Sequence, residues 1–382
     1  MNLTEKIPSI ADHGVGSSAA NAQPFAISAD RARHRIELLG PLRFLMAVSV
    51  VLTHLWANVA PDAGRHAVIG FFCISGFLIT RISRSAYRGR PGAFLVNRLL
   101  RIYPQYIVAM LLGAVVVTGL PDAAASMNSA LRLPVTAGEW LRQFTIFGLA
   151  TSPVRLSPPT WSLNIELYFY LAIGLVTHRS ERATYAMLAL SAIVAGLALA
   201  GIAPIGFYGS ALGNAFVFYL GSAAYFVSRR LQAPSWLGPI ALTWYGALAY
   251  VFPWLGDGSL LRDGLLVASV VAMFLILLRP PVIETDITAL RTVANFLGRL
   301  SYPIFLVHWA VSGLVFAMIG RGNPFLFLAV LALSLLVASG MVLAIDRPIE
   351  LLRARIRAAG RARAETEKPT RSPGSHLSPT GA

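Results

Sequence analysis

The sequence predicts an all-α, polytopic membrane protein with about ten transmembrane helices and both termini in the cytoplasm. Of its 382 residues, 56% are hydrophobic and 13% are charged, whereas soluble domains contain about 25% charged residues. The mean hydropathy is +0.64, and apolar stretches long enough to cross a bilayer recur along most of the chain. Recurrence at this length excludes a soluble fold with a single buried core helix.

Ten apolar segments are predicted as membrane helices, and together they form one central domain, residues 34–350. They lie at residues 36–58, 66–84, 93–119, 161–178, 183–202, 206–228, 236–255, 260–279, 295–319 and 323–346. The flanking residues, 1–33 and 351–382, are polar or arginine-rich and are predicted to be disordered cytoplasmic tails. The loop at 120–160 contains EWLRQFTIFGLA, which indicates a short interfacial or re-entrant helix.

The charge pattern indicates how the chain is oriented. A net charge of +15 in a soluble protein would favour nucleic acid as a partner. Here the arginines lie in the tails and in alternate loops, as the positive-inside rule predicts for cytoplasmic segments. We therefore expect no nucleic-acid partner. The arginine-heavy composition suggests a GC-rich bacterial source, and the protein is expected to span the cytoplasmic (inner) membrane of that bacterium. The single cysteine, Cys73, excludes an intrachain disulfide and a cysteine-based metal site, and no metal is expected.

The first predicted helix carries two ionisable residues, in the stretch RFLMAVSVVLTH. Arg43 and His54 are eleven residues apart, close to three helical turns, so both side chains lie on one face about 16 Å apart along the axis. Ionisable groups at membrane depth are costly and are functional candidates by default. The structural alternative is that Arg43 reaches the cytoplasmic headgroups while His54 hydrogen-bonds across helices.

The next two segments combine small and basic residues. In GFFCISGFLITR, Ser75 lies between Gly70 and Gly76, and such glycines are typical of close helix packing. In NRLLRIYPQY, Arg98 and Arg101 are one turn apart at a cytoplasmic helix start. That spacing suits a phosphate-bearing ligand, although it equally suits a positive anchor at the membrane surface.

Two later segments carry polar groups at membrane depth. PPTWSLNIELYFYL places Glu166 about one turn into a helix, close to Trp161. A carboxylate there needs a buried partner or water. SYPIFLVHW adds Tyr302 and His308 within the ninth predicted helix.

Together and in this order, these segments resemble the acyltransferase 3 family of integral membrane acyltransferases, which includes exopolysaccharide and O-antigen O-acetyltransferases. The family's first-helix signature, a basic residue, ten residues and then histidine, is matched by Arg43 and His54. The later motifs are matched by Phe71, Phe72, Ser75, Gly76, Phe77, Arg98, Arg101, Pro104, Trp161, Ser162, Leu163, Glu166, Phe169, Tyr170 and SYPIFLVH. The resemblance covers residues 35–350, with one departure: Gly40 and Pro41 stand where the family often has an unbroken LDGLRA-like stretch.

The resemblance implies transfer of an acyl group, typically acetyl, from acyl coenzyme A to a hydroxyl of a cell-surface or exported glycan. His54 is the expected general base, because an imidazole can take the proton of an alcohol as it attacks a thioester. Glu166 is the expected catalytic partner that orients His54. Arg43, Arg98 and Arg101 are expected to bind the coenzyme, since guanidinium groups suit phosphates.

Substrate contacts are expected from the remaining motif residues. The expected substrate-binding residues are Ser75, Trp161, Tyr302 and His308. The hydroxyl of Ser75 or of Tyr302 could donate a hydrogen bond to the oxyanion of the tetrahedral intermediate. His308 is either a substrate ligand or a structural hydrogen-bonding group. The expected partners are membrane lipid, the glycan or another hydroxyl-bearing acceptor, and a polysaccharide assembly machinery.

Other functions are compatible with the composition. A transporter or flippase for a lipid-linked or polar substrate would also bury ionisable residues among its helices, although no internal repeat of helix halves is visible. A non-catalytic scaffold for polysaccharide assembly is a third possibility. Within the enzyme interpretation, a secondary metabolite could replace the glycan as acceptor, and succinyl or a branched acyl group could replace acetyl.

Overall fold

The computed structural model describes residues 35–255, 259–320, 323 and 325–366, and these residues are helical apart from loops and one small sheet. The helices are α1 (Leu39–Leu55), α2 (Ala63–Arg84), α3 (Pro91–Gly119), α4 (Pro121–Met127), α5 (Ala137–Thr145), α6 (Thr160–Leu171), α7 (Glu181–Leu199), α8 (Ala211–Ser228), α9 (Leu237–Tyr250), α10 (Ser259–Leu278), α11 (Thr288–Ile319), α12 (Leu326–Met341) and α13 (Arg347–Thr366). The strands are β1 (Arg35–Glu37) and β2 (Val282–Glu284). Residues 351–366 of the predicted C-terminal tail belong to α13, whereas residues 1–33 lie outside the described residues.

The expectation of an all-α, polytopic membrane protein is confirmed. Within the described residues, seven helices are long and apolar enough to cross a membrane by length and composition: α2, α3, α7, α8, α10, α11 and α12 with its continuation. α1 is apolar but has 17 residues. α6 and α9 are shorter still, and each is prolonged by irregular turns, at Ala172–Val176 and Thr177–Arg179 after α6 and at Phe252–Leu255 after α9. The total of ten spans stays a prediction.

A short antiparallel sheet joins the start of the chain to the loop between α10 and α11. Arg35 pairs with Glu284 and Glu37 pairs with Val282. The start of α1, the end of α10 and the start of α11 therefore lie on the same side of the bundle. Because successive spans alternate in direction, the arginine-bearing loops at 85–90 and 229–236 lie there too. We call this side the arginine-rich face, and its assignment to the cytoplasm stays a prediction.

Glycines bring the central helices into close contact. A Cβ atom added at Gly76 of α2 would lie 2.0 Å from the carbonyl oxygen of Phe218 in α8, and one added at Gly221 would lie 1.9 Å from that of Cys73. Any side chain there would push α2 and α8 apart. The expected packing role of Gly76 is thus what the structure shows.

Gly40 makes the same kind of contact between α1 and α11. A Cβ atom added at Gly298 would lie 2.9 Å from the Cα atom of Gly40. Pro41 is accommodated in the first turn of α1, where its missing N–H costs no helical hydrogen bond. The departure from the LDGLRA-like stretch therefore lies at a helix crossing just before Arg43.

The segment between α3 and α6 folds back onto the bundle. Its helix α5 overlaps the first part of EWLRQFTIFGLA, where a short helix was expected, and begins with a capping box in which Glu139 N donates to Thr136 Oγ1 at 3.2 Å. Further along, Ser157 Oγ donates to the carbonyl oxygen of Leu306 in α11 at 2.8 Å. These contacts fix the residues that lead into α6 and place Trp161 beside α11.

Candidate active site

Two cavities lie one above the other between α1, α2, α6 and α11. The inner cavity is lined by Arg43, Val68, Phe71, Phe72, Ser75, Ser162, Leu163, Glu166, Ser301, Tyr302 and Phe305. The outer cavity is lined by Val50, Thr53, His54, Gly64, Arg65, Val68, Asn128, Arg155, Pro158, Pro159, Trp161, Tyr208, Phe305 and Trp309. Val68 and Phe305 belong to both linings, so these two side chains form the partition between the cavities.

The outer cavity contains a pair of hydrogen-bonded histidines. Nδ1 of His54 lies 3.0 Å from Nε2 of His308, and Nδ1 of His308 lies 2.9 Å from the backbone carbonyl oxygen of Phe305. His308 is fully buried, whereas His54 is exposed to the cavity. The rings are nearly parallel, with an interplanar angle of 11° and centroids 5.2 Å apart.

The hydrogen bonds assign the tautomers of this pair. A carbonyl oxygen can only accept, so Nδ1 of His308 carries a hydrogen, and Nε2 of the neutral ring then holds the lone pair. Nδ1 of His54 must therefore donate to His308, which leaves the lone pair of His54 on Nε2. That nitrogen is the atom available to accept a proton from a molecule in the outer cavity.

Glu166 has other partners than the one expected for it. Its Oε1 atom accepts hydrogen bonds from Ser75 Oγ and from the Tyr170 hydroxyl, each at 2.7 Å. Glu166 lines the inner cavity, on the other side of the partition from His54. The orienting position beside His54, where Glu166 was expected, is taken by His308.

The three predicted coenzyme-binding arginines converge near the inner cavity. Arg43 interacts electrostatically with both Arg98 and Arg101 and with the carboxylate of Glu166. Arg98 is buried, and its Nη2 atom donates to Asn97 Oδ1 at 3.1 Å. Three guanidinium groups around one carboxylate leave a net positive charge. Such a cluster suits a ligand that carries several negative charges.

Arg101 also reaches a third opening, which lies between α3, α11 and the junction of α12 with α13. We call it the vestibule, and its lining consists of Leu100, Arg101, Arg299, Asp346, Ile349, Glu350 and Arg353. Arg299 Nε lies 3.4 Å from Asp346 Oδ2, and Arg353 Nη2 donates to Asn97 Oδ1 at 3.2 Å. The vestibule therefore presents guanidinium groups beside the inner cluster, at the arginine-rich face.

The predicted oxyanion donors lie in the inner cavity and are already engaged. Ser75 donates to Glu166, and the hydroxyl of Tyr302 donates to the carbonyl oxygen of Ile102 at 3.1 Å. In this conformation both hydroxyl hydrogens are occupied. The structure thus gives these two residues a structural hydrogen bond each.

Aromatic and polar side chains share the wall of the outer cavity. Trp161 and Tyr208 meet edge to face with ring centroids 5.3 Å apart, and the Arg65 guanidinium carbon lies 4.9 Å from the centre of the Tyr208 ring. Arg65 is held by Asp62 at 3.7 Å and Asp263 at 3.8 Å. Burial raises the pKa of Tyr208, so its hydroxyl stays neutral. Flat apolar rings beside fixed donors are typical of sites that bind polar ligands with apolar faces.

The sequence singled out most of the inner site but not its outer wall. Tyr208 and Arg65 lie in or beside loops that carry no motif, and Phe305 lies inside a matched motif whose aromatic positions also suit packing. Phe305 and His308 are three residues apart on α11, so they lie on one helix face. This spacing was the one local feature of the sequence that related to the histidine pair. Among the described residues, no group of three or more His, Cys, Asp or Glu could hold a metal ion.

Comparison with known proteins gives one result. The family model described as "Acyltransferase domain", Acyl_transf_3, matches residues 41–343. Searches of curated proteins and of solved structures find no significant match. The matched range includes both cavities, the histidine pair and the arginine cluster. The chain therefore belongs to the acyltransferase 3 family and is a membrane acyltransferase.

Proposed function

We propose that this membrane acyltransferase moves an acyl group, acetyl in the simplest case, from acyl coenzyme A to a hydroxyl of a cell-surface or exported glycan. The observation that carries the proposal is the pair of cavities that meet at Val68 and Phe305. One cavity is next to three guanidinium groups, and the other contains a histidine whose Nε2 lone pair is available. A phosphate-bearing donor and an alcohol need these two environments.

The donor is proposed to enter from the arginine-rich face. Coenzyme A carries its phosphates at one end and its thioester at the other, joined by a narrow flexible arm. Arg101 and the vestibule would hold the phosphates, while Arg98 and Arg43 line the way inward. The arm would occupy the inner cavity, whose apolar walls match it, and the thioester carbonyl would lie at the partition beside Phe305.

The acceptor is proposed to bind in the outer cavity against Trp161 and Tyr208. His54 Nε2 takes the proton of its hydroxyl while the oxygen attacks the thioester carbonyl carbon. The carbon–sulfur bond then breaks, and the sulfur leaves as a thiolate that receives the proton from His54. The products are an ester and free coenzyme A. His308 keeps Nδ1 of His54 protonated throughout and acts as a positioning residue.

The two-sided arrangement explains the spacing of the first-helix motif. Arg43 and His54 lie on one face of α1, about 16 Å apart along the helix axis. The partition lies between the cavities that they line. A donor made in the cytoplasm and an acceptor exposed on the other side could thus meet without either crossing the membrane.

The proposal is tested with purified protein in nanodiscs, radiolabelled acetyl coenzyme A and the glycan fraction of the source cells. His54→Ala should lower transfer by a factor of about 10² to 10⁴, the usual contribution of a general base. Leu45→Ala is the matched control, because Leu45 lies on the same helix and faces outward with 59% exposure. Full transfer by His54→Ala would overturn the proposal.

The acceptor is identified by mass spectrometry of surface glycans from cells with and without the gene. A mass difference of one acyl group on a defined glycan would name the acceptor and the acyl group together. Movement of a substrate into vesicles in the absence of any acyl donor would instead support the transporter alternative. Alanine variants of Arg43 and His54 that retain full cellular function would support the scaffold alternative.

A further inference from the structure

A second basic site lies on the arginine-rich face, away from the vestibule. The ends of α2 and α8 and the turn between α6 and α7 enclose an open cleft, which we call the arginine cleft. It is lined by Ser83, Arg84, Arg88, Gly89, His178, Arg179, Glu181, Tyr225, Phe226, Arg229 and Arg230. None of these residues lines the inner cavity, the outer cavity or the vestibule.

The charges in the cleft are unbalanced. Its one carboxylate, Glu181, forms an ion pair with Arg230 at 2.6 Å. The other four arginines have no carboxylate oxygen within 4.0 Å among the residues that the structure describes. Four guanidinium groups drawn from three separate chain segments thus face one concave space without a carboxylate counter-ion in the described part of the chain.

Two of these arginines are held in position by neutral groups. Arg84 Nη1 donates to the carbonyl oxygen of His178 at 2.8 Å, and its guanidinium carbon lies 5.1 Å from the ring centre of Phe226. Arg229 Nη1 donates to the Tyr225 hydroxyl at 2.9 Å. Fixed guanidinium groups lose less side-chain entropy when an anion binds. The cleft is therefore preorganised, whereas charges that merely obey the positive-inside rule need no fixed geometry.

A buried hydroxyl in the cleft also lacks a partner. Ser83 is 1% exposed, and its Oγ atom has no hydrogen-bond partner within the described part of the chain. Buried hydroxyls are nearly always hydrogen-bonded. Because Ser83 lines the cleft, an anionic oxygen bound among the arginines is a fitting acceptor for this hydrogen.

We propose that the arginine cleft binds the phosphate headgroup of an anionic membrane lipid. The cleft borders the start of α7, and only 17% of the apolar window of that helix is buried inside the protein. The adjoining Val176 is 64% exposed. A lipid whose headgroup lies among the arginines could thus lay its acyl chains along α7. Basic pockets between helices on the cytoplasmic side are known to bind such headgroups.

Native mass spectrometry of the purified full-length protein, with added cardiolipin or phosphatidylcholine, tests the proposal. We expect cardiolipin to bind at least tenfold more tightly than phosphatidylcholine, and its affinity to fall as salt is raised because charge interactions are screened. The double variant Arg88→Gln with Arg179→Gln should lose at least tenfold of the cardiolipin affinity. Among the described residues, neither guanidinium group donates a hydrogen bond, so folding should be retained.

The matched control is Arg291→Gln with Arg347→Gln, which removes two charges from the same face outside the cleft. Equal loss of cardiolipin affinity in this control would show a general surface-charge effect and overturn the proposal. Equal binding of the two lipids would do the same. Competition arms with inorganic pyrophosphate and coenzyme A distinguish the source of the phosphate: displacement of cardiolipin by coenzyme A would make the cleft a coenzyme site. Because none of these arms measures acyl transfer, their outcome is independent of the proposed reaction.

Discussion

The histidine pair allows a prediction in which structural and catalytic effects can be separated. His308→Leu removes the acceptor of the His54 Nδ1 hydrogen and keeps a side chain of similar bulk. The ring of His54 is then free to rotate, which turns Nε2 and its lone pair away from the acceptor, or to change tautomer, which moves the lone pair from Nε2 to Nδ1. His308→Gln should act differently, because its amide oxygen can accept the same hydrogen bond.

The magnitude follows from the energy of one partly buried hydrogen bond, which His54 donates to His308 as His54 becomes positively charged. Losing a hydrogen bond of this kind costs about 1–3 kcal/mol. Since each 1.36 kcal/mol of barrier is tenfold in rate, His308→Leu should lower kcat by a factor of about 5 to 150. This loss is smaller than that expected for His54→Ala, about 10² to 10⁴. His308→Gln should recover most of the lost rate.

The assay is steady-state transfer from acetyl coenzyme A at saturating acceptor, with melting temperatures measured in parallel. A positioning role predicts a lower kcat with little change in KM for either substrate. Combining His54→Ala with His308→Leu should be no worse than His54→Ala alone. Wild-type kcat in His308→Leu, or equal losses in the Leu and Gln variants, would refute the reasoning.

Three further predictions concern the donor side, the partition and the helix contacts. Arg101→Gln should raise KM for acetyl coenzyme A at least tenfold with a smaller change in kcat, and an unchanged KM would remove Arg101 from the donor site. Phe305→Ala opens the partition but keeps the backbone carbonyl that bonds to His308, so hydrolysis of acetyl coenzyme A measured without acceptor should rise relative to transfer. No rise in hydrolysis would show that the ring does not separate the cavities. Gly221→Ala places a methyl group 1.9 Å from the Cys73 carbonyl oxygen, too close for van der Waals contact, and should destabilise the protein by about 1–3 kcal/mol. Gly246→Ala, on a helix with open space at that position, should leave the melting temperature unchanged, and equal melting temperatures of the two variants would contradict the packing argument.

Helical periodicity in the sequence predicted which residues share one face of a helix. The spacing of Arg43 and His54 placed them on one face, and they line adjoining cavities in the structure. The pairing of His54 with His308 was beyond this reasoning, since 254 residues separate them and periodicity carries no information on which helices pack together. The same limit applied to Glu166, whose partner Ser75 lies on α2.

The number and ends of the helices were less predictable than their existence. Hydropathy treated residues 161–178 as one helix, whereas the structure divides them among α6, a π-helical turn and a 3₁₀ turn. Apolarity measures how well a segment tolerates lipid, and it does not report how the backbone hydrogen bonds are arranged. The pairing of β1 with β2 was equally invisible, because three-residue strands are too short to show a periodic pattern.

Phe305 performs two tasks with two different parts of the same residue. Its ring separates the cavities, while its carbonyl oxygen fixes the proton on His308 and, through it, the lone pair of His54. A shift of α11 large enough to move the ring aside would also move His308 and disturb its hydrogen bond to His54. An open partition and a correctly oriented histidine would then exclude each other, so His54 would become an effective base only once the Phe305 ring had packed beside the thioester carbonyl. Such an order of events would limit hydrolysis of the thioester by water.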